Sequence, residues 1–76
     1  MESALAHITV QSEVTGTVWK LEVQVGDAVG AEQTLLIVES MKMEIPVAAP
    51  RAGTVRQLLV AEGEAVTEGQ DVLVLA

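Results

Sequence analysis

The sequence predicts an all-β fold, namely a small sandwich or flattened barrel of about eight short strands. Half of its 76 residues are apolar, and the apolar runs are short, rich in valine and separated by glycine and polar turn residues, a pattern typical of strands. No stretch repeats its apolar residues with the period of an amphipathic helix. A 23-residue segment also occurs twice, which indicates two copies of one β unit that cover each other's apolar faces.

The repeat becomes visible when the sequence is shifted against itself by 37 residues. "GTVWKLEVQVGDAVGAEQTLLIV" begins at Gly16, "GTVRQLLVAEGEAVTEGQDVLVL" begins at Gly53, and 10 of the 23 positions are identical. Two copies are too few for a solenoid, which needs at least three to cover its ends. They therefore predict a small closed structure with a pseudo-two-fold axis.

Within each copy the elements follow in one order. The first strand begins at the glycine. Two of its apolar residues are three positions apart instead of two, which predicts a bulge. A turn follows at Gly26 or Gly63, because glycine adopts positive φ without strain. A short Ala-Val segment, a polar turn and an apolar strand ("LLIV" or "VLVL") complete each copy.

Composition excludes several classes of function. The chain has no cysteine, hence no disulfide, thiolate metal site or cysteine nucleophile, and its net charge of −7 argues against nucleic-acid binding. A single histidine and the absence of a catalytic triad order, a phosphate loop or a metal-ligand cluster argue against an enzyme. No apolar run could span a membrane, and the first ten residues do not resemble a signal peptide. We therefore expect a cytoplasmic domain that is monomeric in isolation.

The two copies meet at "VESMKMEIPV", where apolar runs on both sides predict the strands of a hairpin. A two-residue loop at Met41-Lys42 would place Glu39 opposite Glu44. Such loops prefer positive φ at both positions, at a cost of roughly 1–2 kcal/mol for each non-glycine residue. Like charges facing each other across a ladder are also unfavourable. Because local rules fail together at functional sites, we expect Lys42 to be presented for modification rather than to be an ordinary solvated turn lysine.

The segment "ESMKMEIP" resembles the biotin-attachment site of biotinyl domains, whose core motif is Met-Lys-Met. The doubled "G-T-V…G-x-A-V" pattern and the central lysine fit the same family, and the resemblance covers nearly the whole chain. It implies a flattened β-barrel, or barrel-sandwich hybrid, of two four-stranded antiparallel sheets. It also implies a single domain over residues 1–76, with halves of about 7–40 and 43–76. Since Gly16 to Gly26 holds no inserted thumb loop, the chain is most similar to thumbless carrier domains and small free-standing attachment proteins.

The resemblance also implies a role for each residue around the loop. Lys42 would carry biotin, attached by a biotin protein ligase, with Met41 and Met43 beside it. Glu39 matches an acidic position implicated in ligase recognition, and we assign Glu44 to the same contact. The chain would then be a non-catalytic carrier that serves the biotin carboxylase and the carboxyltransferase of a biotin-dependent carboxylase, similar to acetyl-CoA carboxylase.

Two other functions stay open at this point. A lipoyl carrier domain of a 2-oxo acid dehydrogenase has the same fold and the same lysine, so lipoate is an alternative to biotin, although the usual lipoyl motif is Asp-Lys-Ala. A structural barrel without any attached group, as in membrane-fusion adaptors, is the second alternative. Such barrels are flanked by helical hairpins and a membrane anchor, neither of which this sequence contains.

Overall fold

The computed structural model describes residues 7–76, which form eight strands. Their number and type confirm the predicted all-β fold, and this part of the chain contains no helix that could cross a membrane. The short Ala-Val segments are strands of two residues each. The strands are β1 (Ile8–Gln11), β2 (Gly16–Leu21), β3 (Ala28–Val29), β4 (Thr34–Ser40), β5 (Met43–Ala48), β6 (Gly53–Leu58), β7 (Ala65–Val66) and β8 (Asp71–Leu75).

The strands form two antiparallel sheets of four, one in the order β1-β8-β6-β3 and the other in the order β5-β4-β2-β7. A shift of 37 residues turns β1, β2, β3 and β4 into β5, β6, β7 and β8. Exchanging each strand of the first sheet for its counterpart in the other copy therefore gives the strand order of the second sheet. The predicted pseudo-two-fold repeat is confirmed, and each sheet contains strands from both halves of the chain.

The core between the sheets follows the same repeat. Its members are fifteen buried apolar side chains, all Val, Leu or Ala, and the buried Ser12. Every buried residue of the first half has a buried counterpart 37 positions later, so each half supplies eight of the sixteen. Neither half alone could enclose this core. The pairs are Val10/Val47, Ser12/Ala49, Val18/Val55, Val23/Val60, Val29/Val66, Leu35/Val72, Leu36/Leu73 and Val38/Leu75.

A bulge interrupts the first long strand of each copy, as the step of three in the sequence predicts. The register shifts between Val18 and Lys20 in β2 and between Val55 and Gln57 in β6. The additional residues are therefore Trp19 and its repeat equivalent Arg56. Trp19 is 50% exposed, so half of this large apolar side chain faces the solvent.

Glycine at the start of β2 allows this strand to approach β4 closely. A Cβ on Gly16 would overlap the carbonyl oxygen of Glu39 and lie 2.9 Å from Cγ1 of Val38. At the equivalent position a Cβ on Gly53 would lie 2.7 Å from the carbonyl oxygen of Ala76. The close approach at Gly16 involves Glu39, which lies two residues before the Met41-Lys42 loop.

Candidate functional site

The hairpin between the two halves has the predicted register. β4 and β5 pair Glu39 with Glu44 and Ser40 with Met43, which leaves Met41 and Lys42 as a two-residue loop. The φ angles of Met41 and Lys42 are 52° and 67°, so both loop residues adopt the left-handed conformation that the sequence predicts. Both residues are thus held in a conformation that L side chains disfavour, and they form the tip of the hairpin.

The side chains at the tip are strongly exposed. Met41 is 93% exposed and Met43 is 64% exposed, and Lys42 between them is also exposed. Thioether side chains are soft and adaptable, and they pack against partners of irregular shape. The tip therefore presents a primary amine with apolar surface on both sides.

Two carboxylates flank the tip on the outer face of the sheet. Val38 is buried, and because side chains alternate along a strand, Glu39 points away from the core. Glu44 lies directly opposite Glu39, and both residues are exposed. The structure thus contains the unfavourable pair of like charges that the sequence predicts, next to the strained loop.

Two hydrogen bonds in series connect the base of the hairpin, through Thr15, to the turn between β7 and β8. The Oγ of Ser40 donates to the carbonyl oxygen of Thr15 at 2.9 Å, and the backbone N–H of Glu68 donates to Oγ1 of Thr15 at 2.9 Å. Sequence reasoning missed both Thr15 and Ser40. One signal was present in the repeat, because the position equivalent to Thr15 in the second copy is Ala52.

The site that residues 7–76 offer is a protrusion. No pocket opens within this part of the chain, and its His, Asp and Glu side chains form no group that could hold a metal ion. The Nζ of Lys42 is a potential nucleophile toward an activated acyl group that another enzyme brings to it. The five residues of the predicted site, Glu39, Met41, Lys42, Met43 and Glu44, lie together on one hairpin.

The chain matches known proteins over almost its entire length. The biotin/lipoyl family model, described as "Biotin-requiring enzyme", matches residues 6–75. A biotin/lipoyl attachment protein of Bacillus subtilis is 42% identical over 69 residues, which are 91% of this chain and 94% of that protein. A biotin carboxyl carrier protein of Streptococcus mutans is 39% identical over 74 residues, which are 97% of this chain and 57% of that protein.

Solved structures show the same similarity in three dimensions. The urea carboxylase of Kluyveromyces lactis superposes on the whole chain with a TM-score of 0.90 and 36% sequence identity. This chain covers 7% of that much larger protein. The similarity therefore extends to both the backbone and the sequence, and it includes the hairpin.

Proposed function

Because the chain belongs to the biotin/lipoyl attachment family of carrier domains found in biotin-dependent carboxylases, we propose that it is a biotin carboxyl carrier with biotin attached to Lys42. One observation carries the proposal. The chain keeps Met41 and Lys42 in the left-handed conformation at the tip of its central hairpin, where asparagine and glycine would be relaxed. The strain is explained if the amine of Lys42 has to enter the active sites of other enzymes.

In the proposed attachment, Lys42 acts as the nucleophile and the ligase activates the acyl group. The neutral Nζ attacks the carbonyl carbon of biotin activated as a mixed anhydride with AMP. The new C–N bond is an amide, the C–O bond between the biotin carbonyl carbon and AMP breaks, AMP leaves, and Nζ loses one proton to water. The chain contributes an amine on a flexible four-carbon stem at an exposed loop, which fits a group attached through an amide.

The neighbouring side chains support recognition in this proposal. Met41 and Met43 offer apolar contact surface to the ligase and to the attached group, as their exposure of 93% and 64% allows. Glu39 and Glu44 would pair with basic side chains of the ligase. A basic partner would also relieve the repulsion between these two carboxylates, which the free domain has to tolerate.

As a carrier, the chain would serve two enzymes in turn and have no catalytic role of its own. When bound, biotin supplies a ring nitrogen that takes a carboxyl group from a biotin carboxylase and yields it to a carboxyltransferase. The role of the chain is to hold the attachment point away from the barrel. Tethering raises the effective concentration of the attached group at both enzymes. We propose an acyl-CoA such as acetyl-CoA as the final acceptor.

A lipoyl carrier is the second candidate. The Bacillus subtilis relative has the printed name "Biotin/lipoyl attachment protein", which names both groups. The amide on Lys42 would be the same, and the change would lie in the ligase and in the enzymes served. The Met-Lys-Met sequence around Lys42 favours biotin over lipoate.

The intact mass of the protein after incubation with biotin protein ligase, biotin and ATP tests the proposal. We expect a gain of one biotinyl group. Lys20 provides a matched control because it is the other lysine of the chain and is also exposed. Lys20→Arg should keep the gain and Lys42→Arg should lose it.

The other outcomes of this experiment separate the alternatives. A full gain by Lys42→Arg would refute the assignment of the site. A gain with a lipoate ligase and lipoate, but none with biotin, would make the chain a lipoyl carrier. No gain with either ligase would favour a structural barrel that carries no group.

A further inference from the structure

The β1–β2 loop contacts the hairpin at the place where the sheet stops supporting it. The last ladder position shared by β2 and β4 is Thr17 opposite Glu39. Ser40 lies one residue further toward the tip, and there its Oγ donates to the carbonyl oxygen of Thr15 at 2.9 Å. This hydrogen bond attaches β4 to the β1–β2 loop one residue beyond the end of its ladder with β2. The attachment point is Ser40, directly before Met41 in the loop.

Thr15 is in turn connected to a third segment. The backbone N–H of Glu68, in the turn between β7 and β8, donates to Oγ1 of Thr15 at 2.9 Å. Nearby, the Oγ of Ser12 donates to the carbonyl oxygen of Val14 at 2.6 Å and accepts from its N–H at 3.3 Å. The hydroxyl groups of Ser12 and Thr15 thus stabilise the β1–β2 loop, and this loop in turn supports the hairpin.

The repeat provides an internal control for what the fold itself requires. Glu32 N–H donates to the carbonyl oxygen of Ala49 at 2.7 Å, and the equivalent Gly69 N–H donates to the carbonyl oxygen of Ser12 at 2.8 Å. The turns after β3 and β7 also share an inner hydrogen bond, in which a glutamine Oε1 accepts a backbone N–H at 2.9 Å in one copy and 3.0 Å in the other. The backbone of this region is therefore the same at both ends of the barrel.

The side chains differ between the two ends. The positions equivalent to Ser12, Thr15 and Glu68 are Ala49, Ala52 and Ala31. The second copy forms the same backbone contacts with alanine at the first two of these positions. The hydroxyl groups are therefore not needed to build the fold, and they occur at the end of the barrel that presents Lys42.

We propose that Thr15 and Ser40 are positioning residues that hold the lysine hairpin in the orientation in which an enzyme engages Lys42. This inference rests on the proposed function, since it needs an enzyme that acts on Lys42. Without the two hydrogen bonds, the end of the hairpin beyond Glu39 is a two-stranded ribbon that only its own pairing supports, and such ribbons are marginally stable alone.

The expected effect lies in the affinity of the ligase for the domain. If only a fraction of molecules has the productive orientation, the apparent dissociation constant rises in inverse proportion to that fraction. The loss of one hydrogen bond shifts the equilibrium away from the productive orientation by roughly 2–10-fold. The KM for the domain should rise by up to that factor, and kcat should stay unchanged because the ligase itself orients the bound hairpin.

The test compares four variants as substrates of a biotin protein ligase. Thr15→Val removes the hydroxyl group at constant shape, and Ser40→Ala removes the donor to Thr15. Thr15→Ser keeps the hydroxyl group and should restore the wild-type KM. Thr54→Val, at an exposed threonine at the opposite end of the barrel, is the matched control and should leave KM unchanged.

Amide hydrogen exchange of Ser40 and Met43, which pair at the end of the ladder next to the loop, gives a second readout that needs no ligase. We expect faster exchange of these amides in Thr15→Val and Ser40→Ala, with unchanged exchange in the central strands. Wild-type KM and wild-type exchange in both variants would overturn the inference, as would a raised KM that Thr15→Ser does not restore. If wild-type protein accepts no biotin, the proposed function fails, and unchanged exchange would then separately overturn the positioning role.

Discussion

Replacing Met41-Lys42 by Asn-Gly is expected to stabilise the barrel and to abolish attachment of the cofactor. The two residues have φ angles of 52° and 67°. Asparagine and glycine are the residues that two-residue hairpin loops prefer, because both adopt positive φ readily. The double variant removes the strain of the loop together with the amine that we propose to be modified.

The size of the gain follows from the two strained positions. Each costs roughly 1–2 kcal/mol, so the loop as a whole costs roughly 2–4 kcal/mol. Glycine at position 42 gives back roughly 0.5–1 kcal/mol because it is more flexible in the unfolded chain. The free energy of unfolding should therefore rise by about 1–3 kcal/mol. For a domain of this size, Tm should rise by at least about 4 °C.

The barrel contains its own control for this estimate. Glu32 is the remaining non-glycine residue with positive φ among residues 7–76, at 67°, and its repeat equivalent is Gly69 at 86°. Glu32→Asn relieves one such position outside the hairpin, and it should raise the free energy of unfolding by about 1 kcal/mol. This variant should accept biotin as the wild type does.

Urea denaturation and thermal unfolding measure the stability, and intact mass after ligase treatment measures the attachment. The expected result is a stabilised double variant that gains no biotin, beside a stabilised Glu32→Asn that gains one. If Glu32→Asn raises the free energy of unfolding and Asn-Gly at the loop does not, the loop is not strained. Strain at Met41 and Lys42 would then not mark Lys42 as the functional residue.

Two further predictions concern the surroundings of the loop. Gly16→Ala should lower Tm, and it should slow biotinylation more than Gly53→Ala does. The Cβ added at Gly16 meets Glu39 and Val38 beside the hairpin, whereas the Cβ added at Gly53 meets the carbonyl oxygen of Ala76. Equal effects of the two variants on biotinylation would contradict this prediction. Glu39→Gln should raise the free energy of unfolding by roughly 0.2–1 kcal/mol at low salt, and by less at high salt, because it removes the repulsion from Glu44. The same variant should raise the ligase KM, because it removes the proposed contact with the ligase. Glu22→Gln is the control for general charge, and an equal KM in both variants would contradict a specific role for Glu39.

Much of the fold was predictable because it rests on local patterns, most of which occur twice. The spacing of three between apolar positions predicted a bulge in each copy, and the structure places these bulges at Trp19 and Arg56. The apolar runs around Met41-Lys42 predicted the register of the hairpin. Each pattern needs only a few neighbouring residues. The second occurrence of the bulge pattern 37 residues later makes an accidental match improbable, whereas the hairpin pattern occurs once, where the two copies meet.

The contacts that sequence reasoning missed join residues far apart in the chain. Thr15 meets Ser40 across 25 residues and Glu68 across 53, and the carboxylate of Glu62 accepts from the N–H of Leu21 across 41. No periodicity predicts such a side-chain contact, because it exists only once the two sheets have closed. The positive φ of Glu32 was missed for another reason, since glutamate is not a residue that indicates a left-handed turn.

The mixing of the two halves within each sheet has a consequence for how the protein folds. The pairing of Ile8 with Leu75 joins the first described strand to the last, and most close contacts in the molecule connect residues distant in sequence. Topologies of this kind fold slowly for their size, since long loops must close before the contacts that compensate for them can form. A nascent chain that has just exposed Lys42 still lacks all four strands from β5 to β8, and hence half of the core. An enzyme that requires the finished hairpin would therefore modify only molecules whose folding is complete, and the attached group would mark them as such.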